Sequence, residues 1–303
     1  MEIDEIFDTF CLRVTEIELY RSVARDTTRP VVRRLDEIAQ AEADRTGDVS
    51  VPFSVQSMGF RDPESGEYVR YGAAVSRTED RAQQVVRQQN RQYGWLLVEA
   101  YEEFEDFLER TYAWLGRHDW QAWRLGEFGN IRHAELSEQP FRWYVETVRH
   151  KFAQNRRKIL DRLRDLYPGL ADREARNKLG RNLRLSVELI ANLRHKIVHS
   201  RGRISDRNDF VRDVITQCGL WNNGRPKAEH REAVEKYLSP DADDWVVTLI
   251  EVSVPPPDGA PPGFWRALSP HSDICGKLIS DLVADAALVH RCVSSHPAAP
   301  PAA

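Results

Sequence analysis

The sequence contains no apolar run that approaches the roughly 18 consecutive residues of a membrane-spanning helix. Its first ten residues, MEIDEIFDTF, are acidic and amphipathic, whereas a secretory signal peptide is first basic and then apolar. Both absences argue against membrane insertion and against export. We therefore expect a cytoplasmic protein without a membrane partner.

Cysteine is also scarce, and the four thiols form no CxxC pair; they are Cys11, Cys218, Cys275 and Cys292. Spacing this wide argues against a disulfide framework and against a zinc ribbon, and it suits reduced thiols in a cytosolic protein. The sequence thus predicts neither a metal nor a cofactor.

The chain lacks an overall excess of positive charge, because its formal net charge is −4. Positive charge is concentrated between Arg149 and Arg207, where 17 Lys and Arg accompany six Asp and Glu. A basic segment within an acidic protein indicates a local site for a polyanion. Arginine-rich helix surfaces are common, however, so the charge alone leaves a solvated helix face as the alternative.

Helical periodicity dominates the sequence. In the segment from Trp95 to Leu115, apolar residues recur at spacings of three and four while acidic residues fill the other faces, which is typical of an amphipathic helix with a buried stripe. Helix-breaking and helix-capping residues divide the rest of the chain into separate segments. The predicted helices span residues 2–24, 30–46, 76–115, 137–166, 172–201, 230–238 and 272–293, with a loop at 116–136.

Two segments have strand character instead. Residues 49–75 read as a β-hairpin around the turn DPESG, and DWVVTLIEVSV, from Asp244 to Val254, reads as one strand. The predicted fold is therefore mostly α, with a small hairpin in the N-terminal third and a short strand near 245–254. The predicted organisation is an N-terminal region at 1–75, a helical domain at 76–293 and a disordered tail at 294–303.

The stretch NLRHKIVHSRGR, which begins at Asn192, places Arg194 within the apolar stripe of the 172–201 helix. An arginine there needs a partner, because a buried unpaired charge is costly. Glu188 or a carboxylate of the 95–109 helix could supply one, and that is the purely structural interpretation. On an ideal helix His199 lies about 140° around the axis from Arg194. The two side chains can converge only if the helix loosens near His199 or if two chains meet there.

A metal site is the second interpretation. His195 and His199 are four residues apart on one face, which is a spacing that metal ligands use. However, Lys196 follows the first histidine, where a zinc protease of the HExxH type needs glutamate. No Cys/His cluster offers further ligands, so this interpretation is the weaker one.

The third interpretation comes from a resemblance. The stretch ELIANLRHKIVHSRGRI is similar to the signature of HEPN domains, which are all-helical domains with an Arg, four to six residues and then a His near the end of a long helix. Here these are Arg194 and His199, with His195 as the polar residue after the arginine. The segment LLVEAYEEFEDFLERTYAWL resembles the first helix of such domains. The resemblance covers about residues 95–205, and the helix from 272 could complete the bundle.

The resemblance implies a metal-independent endoribonuclease of the bacterial toxin or antiviral-defence type, which acts as a homodimer on RNA and has an antitoxin protein as a candidate partner. It implies that His199 is the acid/base, that Arg194 clamps phosphate, and that His195 assists. Glu188 and Asn192 would hold these three residues in position without contacting the RNA themselves. Lys196, Arg201 and Arg203 would hold flanking phosphates of the RNA.

Two other functions remain open on the sequence. One is an HEPN-like module that binds RNA or nucleotide without cutting it. The other is a purely structural helical dimer. A ribonuclease assay separates the endoribonuclease from both, and the salt dependence of RNA binding separates the other two functions from each other.

Overall fold

The computed structural model describes residues 2–46, 52–124, 133–136, 138–154, 157–221, 226–241, 244–250 and 274–296. Within them the chain is mostly helical, as expected. The longer helices are α1 (Ile3–Thr46), α2 (Thr78–His118), α4 (Phe141–Phe152), α5 (Arg157–Leu166), α6 (Pro168–Ala175), α7 (Leu183–Ser200), α8 (Arg207–Gln217), α9 (Ala228–Glu235) and α10 (Cys275–Ser294); α3 is one turn, His133–Leu136. None of the described helices has the length and apolar character that crossing a bilayer requires.

Strands form two small antiparallel sheets. The predicted hairpin is confirmed as β1 (Pro52–Arg61) paired with β2 (Tyr68–Arg77). The second sheet has the order β3–β5–β4, built from β3 (Arg203–Ile204), β4 (Leu238–Asp241) and β5 (Asp244–Val247). The strand predicted from Asp244 therefore exists, but it ends at Val247, and its extension over 251–254 lies outside the described residues.

The described chain divides into two compact units. The larger contains Met1–Tyr20, Gly94–Thr248 and Ile274–Ala303, and the smaller contains Arg21–Tyr93 and Leu249–Asp273. The start of α1 belongs to the larger unit because Phe10 packs against Phe104 and Phe107 of α2.

The predicted interruption between residues 24 and 30 is wrong, because α1 continues through Pro30. A proline removes one helix hydrogen bond and crowds a carbonyl of the preceding turn. The hydroxyls of Thr27 and Thr28 here donate to the carbonyls of Val23 and Ala24, at 2.8 and 2.7 Å. Hydroxyl bonds of this kind to the preceding turn often accompany a bend in a helix. Ser76, the expected cap of the next helix, lies in β2 opposite Ser54.

The central helices are shorter than predicted. The segment 137–166 contains α4 and α5 rather than one helix, and Ser137 lies outside the described residues. The predicted loop at 116–136 is shortened at both ends, because α2 continues to His118 and α3 begins at His133. The indole of buried Trp123 fixes this loop by donating to the carbonyl of Tyr112 at 2.9 Å.

The segment 172–201 is likewise divided, into α6, a connection and α7. Asn177 explains the break, since its side chain accepts from the amide of Leu179 and donates to the carbonyl of Arg181. Gly180 then takes a left-handed φ of 63°. Such local bonds compete with a helix. Asn182 restarts the helix as a cap, accepting from the amide of Leu185 at 3.0 Å.

Candidate functional site at the C-terminal end of α7

Helix α7 positions the predicted site residues through its apolar face. Leu183, Val187, Ile190 and Leu193 are buried, as the periodicity predicts, and α7 packs against α10 and α8. Ile197, the last member of the stripe, is only half-buried. The helix thus leaves the core over its final turn, where the two histidines and the nearby cations lie.

Arg194 is half-buried and paired with a carboxylate of α2. Its side chain retains 31% of its exposure, and its Nη2 donates to Oε1 of Glu102 at 3.2 Å. The partner therefore comes from the acidic 95–109 segment, while Glu188 takes no part in this pair. The Nε of Arg194 is buried, and no described residue accepts its hydrogen. The guanidinium is thus only partly satisfied within the chain.

His195 and His199 form a pair on the surface of the last turns. Both are exposed, and their ring centroids lie 4.7 Å apart with an interplanar angle of 49°. Helix α7 stays regular as far as Ser200. Arg194 and His199 consequently remain on different sides of the helix, about 140° apart around its axis. A single chain brings together the two imidazoles, but it does not bring His199 to the guanidinium.

The two residues expected to support the site have different surroundings. Glu188 is buried, and its backbone carbonyl accepts a hydrogen bond from the Asn192 side chain at 2.8 Å. The same Asn192 amide donates to Gln217 of α8, also at 2.8 Å. Asn192 thus joins α7 to α8. Burial, followed by the charge of Glu188, raises the pKa of the Cys218 thiol to about 12, which keeps this thiol protonated.

Lys196, Arg201 and Arg203 surround the end of the helix, and none of the three forms an ion pair with a described residue. Arg201 and Arg203 are exposed. Arg201 has a φ of 54°, and it is the one residue other than glycine with a left-handed backbone in the described chain. The chain leaves α7 there, and the amide of Gly202 donates to the carbonyl of Lys196 at 2.9 Å. The predicted end of this helix at residue 201 is confirmed to within one residue.

Part of the basic segment is neutralised within the chain. Arg149 binds Asp106 and Glu109, Arg164 binds Glu174, and other arginines pair in the same way. The charge excess between Arg149 and Arg207 is therefore partly structural. The cations at the end of α7 form no ion pair with a described residue, and neither do Lys151, Lys158 and Lys178 of the same segment. Cations near a helix C-terminus also compensate the helix dipole, and this is the structural role open to them.

Within the ranges that the structure describes, no three or more His, Cys, Asp or Glu side chains cluster in a way that could hold a metal ion. His195 and His199 stand as a pair of imidazoles. The arrangement can therefore move protons and bind an anion, which are the abilities of imidazole and of guanidinium groups.

No family model, curated protein or solved structure matches the chain.

Proposed function

We propose that the protein is a metal-independent endoribonuclease whose site forms where the C-terminal ends of two α7 helices meet in a homodimer. The observation that carries this proposal is the exposed pair His195 and His199 beside Arg201 and Arg203, cations without an ion-pair partner in the described chain. This end of α7 has the groups that cleavage of RNA requires, and it leaves them accessible.

The chemistry follows from the residue types. RNA carries its own nucleophile, the 2′-hydroxyl, so cleavage needs a group that accepts and returns a proton near neutral pH. Histidine is such a group. The 2′-oxygen attacks the adjacent phosphorus and the 5′-oxygen leaves with a proton, which gives a 2′,3′-cyclic phosphate and a 5′-hydroxyl. His199 moves the protons, and His195, whose ring lies against it, orients it.

Arg194 has the role of phosphate clamp. A guanidinium offers a planar fork of donors and stays charged, which suits the charge that accumulates on the phosphorane oxygens. Glu102 uses one donor of this fork. Because Arg194 and His199 diverge on one helix, the proposal requires that Arg194 of one chain work with His199 of the other. The resemblance to HEPN domains supports such pairing, together with a toxin or antiviral-defence role and an antitoxin partner.

The conformation of Arg201 lends further support. A left-handed residue after a helix is usually glycine, because a side chain there costs about 1–2 kcal/mol. Arginine nevertheless occupies this position and directs a charge just beyond the helix. A backbone phosphate of RNA next to the histidines would account for this arginine.

Cleavage of three matched oligonucleotides tests the proposal. The protein should cut single-stranded RNA at the same rate with and without EDTA, and it should leave DNA and 2′-O-methyl RNA of the same sequence intact, since both lack the nucleophile. Cleavage of the DNA would contradict the proposal. So would an activity that EDTA abolishes and magnesium restores.

A second candidate function is an RNA-binding module without catalysis, which the unpaired cations Lys196, Arg201 and Arg203 alone would support. Such a module would bind RNA with a steep dependence on salt, because each phosphate contact releases a counterion. It would leave all three oligonucleotides intact.

A further inference from the structure

A cavity of about 510 Å³ lies at the N-terminal end of α7. Residues at the N-terminal ends of three helices contribute to its lining. Asn182, which caps α7, lines it, as do Lys227, which precedes α9, and Lys277 in the first turn of α10. Asn182 and Arg194 are 12 residues apart, which is about 18 Å along the helix. The cavity is therefore separate from the candidate ribonuclease site.

Positive charge prevails in this cavity. Arg181, Lys227, Lys236 and Lys277 line it together with only two carboxylates, Asp281 and Glu229. Asp281 is already occupied, because Arg181 and Ser186 both donate to it. Glu229 lies 3.7 Å from Lys227 in a pair that is exposed on both sides, and such pairs are weak. Lys277 forms no ion pair with any residue that the structure describes.

A tyrosine and a histidine also line the cavity. Tyr237 is 2% exposed. Burial raises the pKa of Tyr237, so the hydroxyl remains a donor at neutral pH. The Nδ1 of His230 is buried and has no partner among the described residues. A buried polar atom ordinarily has a partner, so this nitrogen indicates that a ligand supplies one.

The rest of the wall is apolar. Leu185, Leu189, Leu220 and Leu278 line the cavity beside the polar groups. The volume falls within the range of sites for small molecules, which combine apolar walls with a few convergent polar groups. The starts of helices α7 and α10 add partial positive charge, as at many phosphate sites. The positive charge of the lysines, the tyrosine hydroxyl and the N-terminal ends of the helices favour binding of an anion. The leucines favour a compact apolar group attached to that anion.

We propose that this cavity binds a small phosphate ester, with the phosphate held by Lys227, Lys277 and the hydroxyl of Tyr237 and the apolar part against the leucines. Lys227 is 45 residues from Asn182 and 50 residues from Lys277 in the sequence. No local sequence motif therefore predicts this site. The proposal is independent of the ribonuclease activity, since it uses none of its residues.

Calorimetry with three probes tests the proposal on the full chain at low salt: AMP, adenosine and inorganic pyrophosphate. AMP should bind at least about tenfold more tightly than adenosine, as expected when a phosphate makes charge-assisted hydrogen bonds. Pyrophosphate should compete with AMP. Lys277→Gln and Tyr237→Phe should each weaken AMP binding, Lys277→Gln by about tenfold.

Lys151→Gln is the matched control, because Lys151 is an exposed lysine of α4 that does not line the cavity. It should leave AMP binding unchanged. The melting temperature of each variant without ligand should match that of the parent protein, which shows that a loss of binding is not a loss of fold. Absence of AMP and pyrophosphate binding to the parent protein would overturn the proposal. Equal binding of AMP and adenosine, or an equal effect of Lys277→Gln and Lys151→Gln, would also overturn it.

Discussion

Arg194 of α7 donates a hydrogen bond to the carboxylate of Glu102 in α2, across 3.2 Å and 92 residues of sequence. The pair is partly exposed, with 31% of the arginine side chain and 52% of the glutamate side chain accessible. Such a pair contributes at most about 1 kcal/mol to stability. Its value under the proposed function is that it holds the guanidinium in one orientation.

The first prediction concerns this orientation. Arg194→Lys keeps the charge but loses the planar fork, so it should lower kcat for RNA cleavage by about tenfold or more. Glu102→Gln should lower kcat by a smaller factor, with KM little changed, because Glu102 only positions the arginine. Glu99→Gln, an exposed glutamate one turn earlier in α2, is the control. Steady-state kinetics check all three. A lysine variant with full kcat would show that the fork has no role.

The second prediction concerns the dimer, and it follows from the divergence of Arg194 and His199 on α7. Arg194→Ala and His199→Ala should each be inactive alone. Coexpressed, they form mixed dimers with one intact set of residues, which should recover up to about a quarter of the parent activity. The double variant coexpressed with the parent chain is the control. Its mixed dimers, isolated through a different tag on each chain, contain no intact set and should be inactive. Mixed dimers that are detected by mass but remain inactive would contradict a site shared between chains.

The third prediction concerns Arg201 in its left-handed conformation. Arg201→Gly should raise the free energy of unfolding by about 0.5–1 kcal/mol, because glycine adopts this φ without strain. The same change should weaken RNA binding and reduce its salt slope by about one. Arg203→Gln is the matched control, because it removes a charge without relieving strain. It should weaken binding and leave stability unaltered. A glycine variant that binds RNA as well as the parent would assign Arg201 a structural role.

Long periodic segments were predictable from the sequence. The stripe Leu97, Phe104, Leu108 and Leu115 of α2 is buried, and the apolar face of α7 is buried over its first three turns. In both cases apolar side chains recur with the helical period, and burial of that face dominates the local energetics.

Boundaries were less predictable, because single side chains decide them. Asn177 and Gly180 divide a segment with an otherwise continuous helical pattern, whereas Pro30 fails to divide one. The strands β3 and β4 are two and four residues long, which is too short for a recognisable alternation. Glu109, which the periodicity places on a polar face, is buried because it pairs with Arg149, 40 residues away.

For the candidate site, the sequence predicted the carboxylate partner of Arg194 only as one of several. The choice of Glu102 depends on how α2 and α7 pack, which no local pattern encodes. The separation of Arg194 from His199 was predictable, since it follows from helix geometry alone.

The fourth prediction concerns a buried acid. Asp285 in α10 is fully buried beside Glu174, and neither of its carboxylate oxygens accepts a hydrogen bond within the described residues. Burial, followed by the charge of Glu174, raises the pKa of Asp285 well above its ordinary value. The folded protein then holds this proton more tightly than the unfolded chain. Its contribution is therefore fully present below about pH 4, the ordinary range of Asp, and is lost as pH rises through the raised pKa.

Asp285→Asn should remove this dependence. The free energy of unfolding of the parent protein should fall more steeply than that of the variant as pH rises above about 4. Urea denaturation over a series of pH values measures both slopes. Asp172→Asn, an exposed aspartate of α6, is the control and should keep the parent slope. Equal slopes for the parent protein and Asp285→Asn would show that Asp285 does not hold the proton.

The most direct test of the central claim is the rate and the product of RNA cleavage in EDTA by the parent protein, by His199→Ala and by His150→Ala. His150 is an exposed histidine of α4 and serves as the matched control. The account predicts 2′,3′-cyclic phosphate and 5′-hydroxyl ends from the parent protein and from His150→Ala. It predicts that His199→Ala cuts about 10²–10⁴-fold more slowly, the usual cost of losing a general acid–base group, while it remains folded. Cleavage by His199→Ala at the parent rate would contradict the assignment of this histidine, and so would products with 5′-phosphate ends.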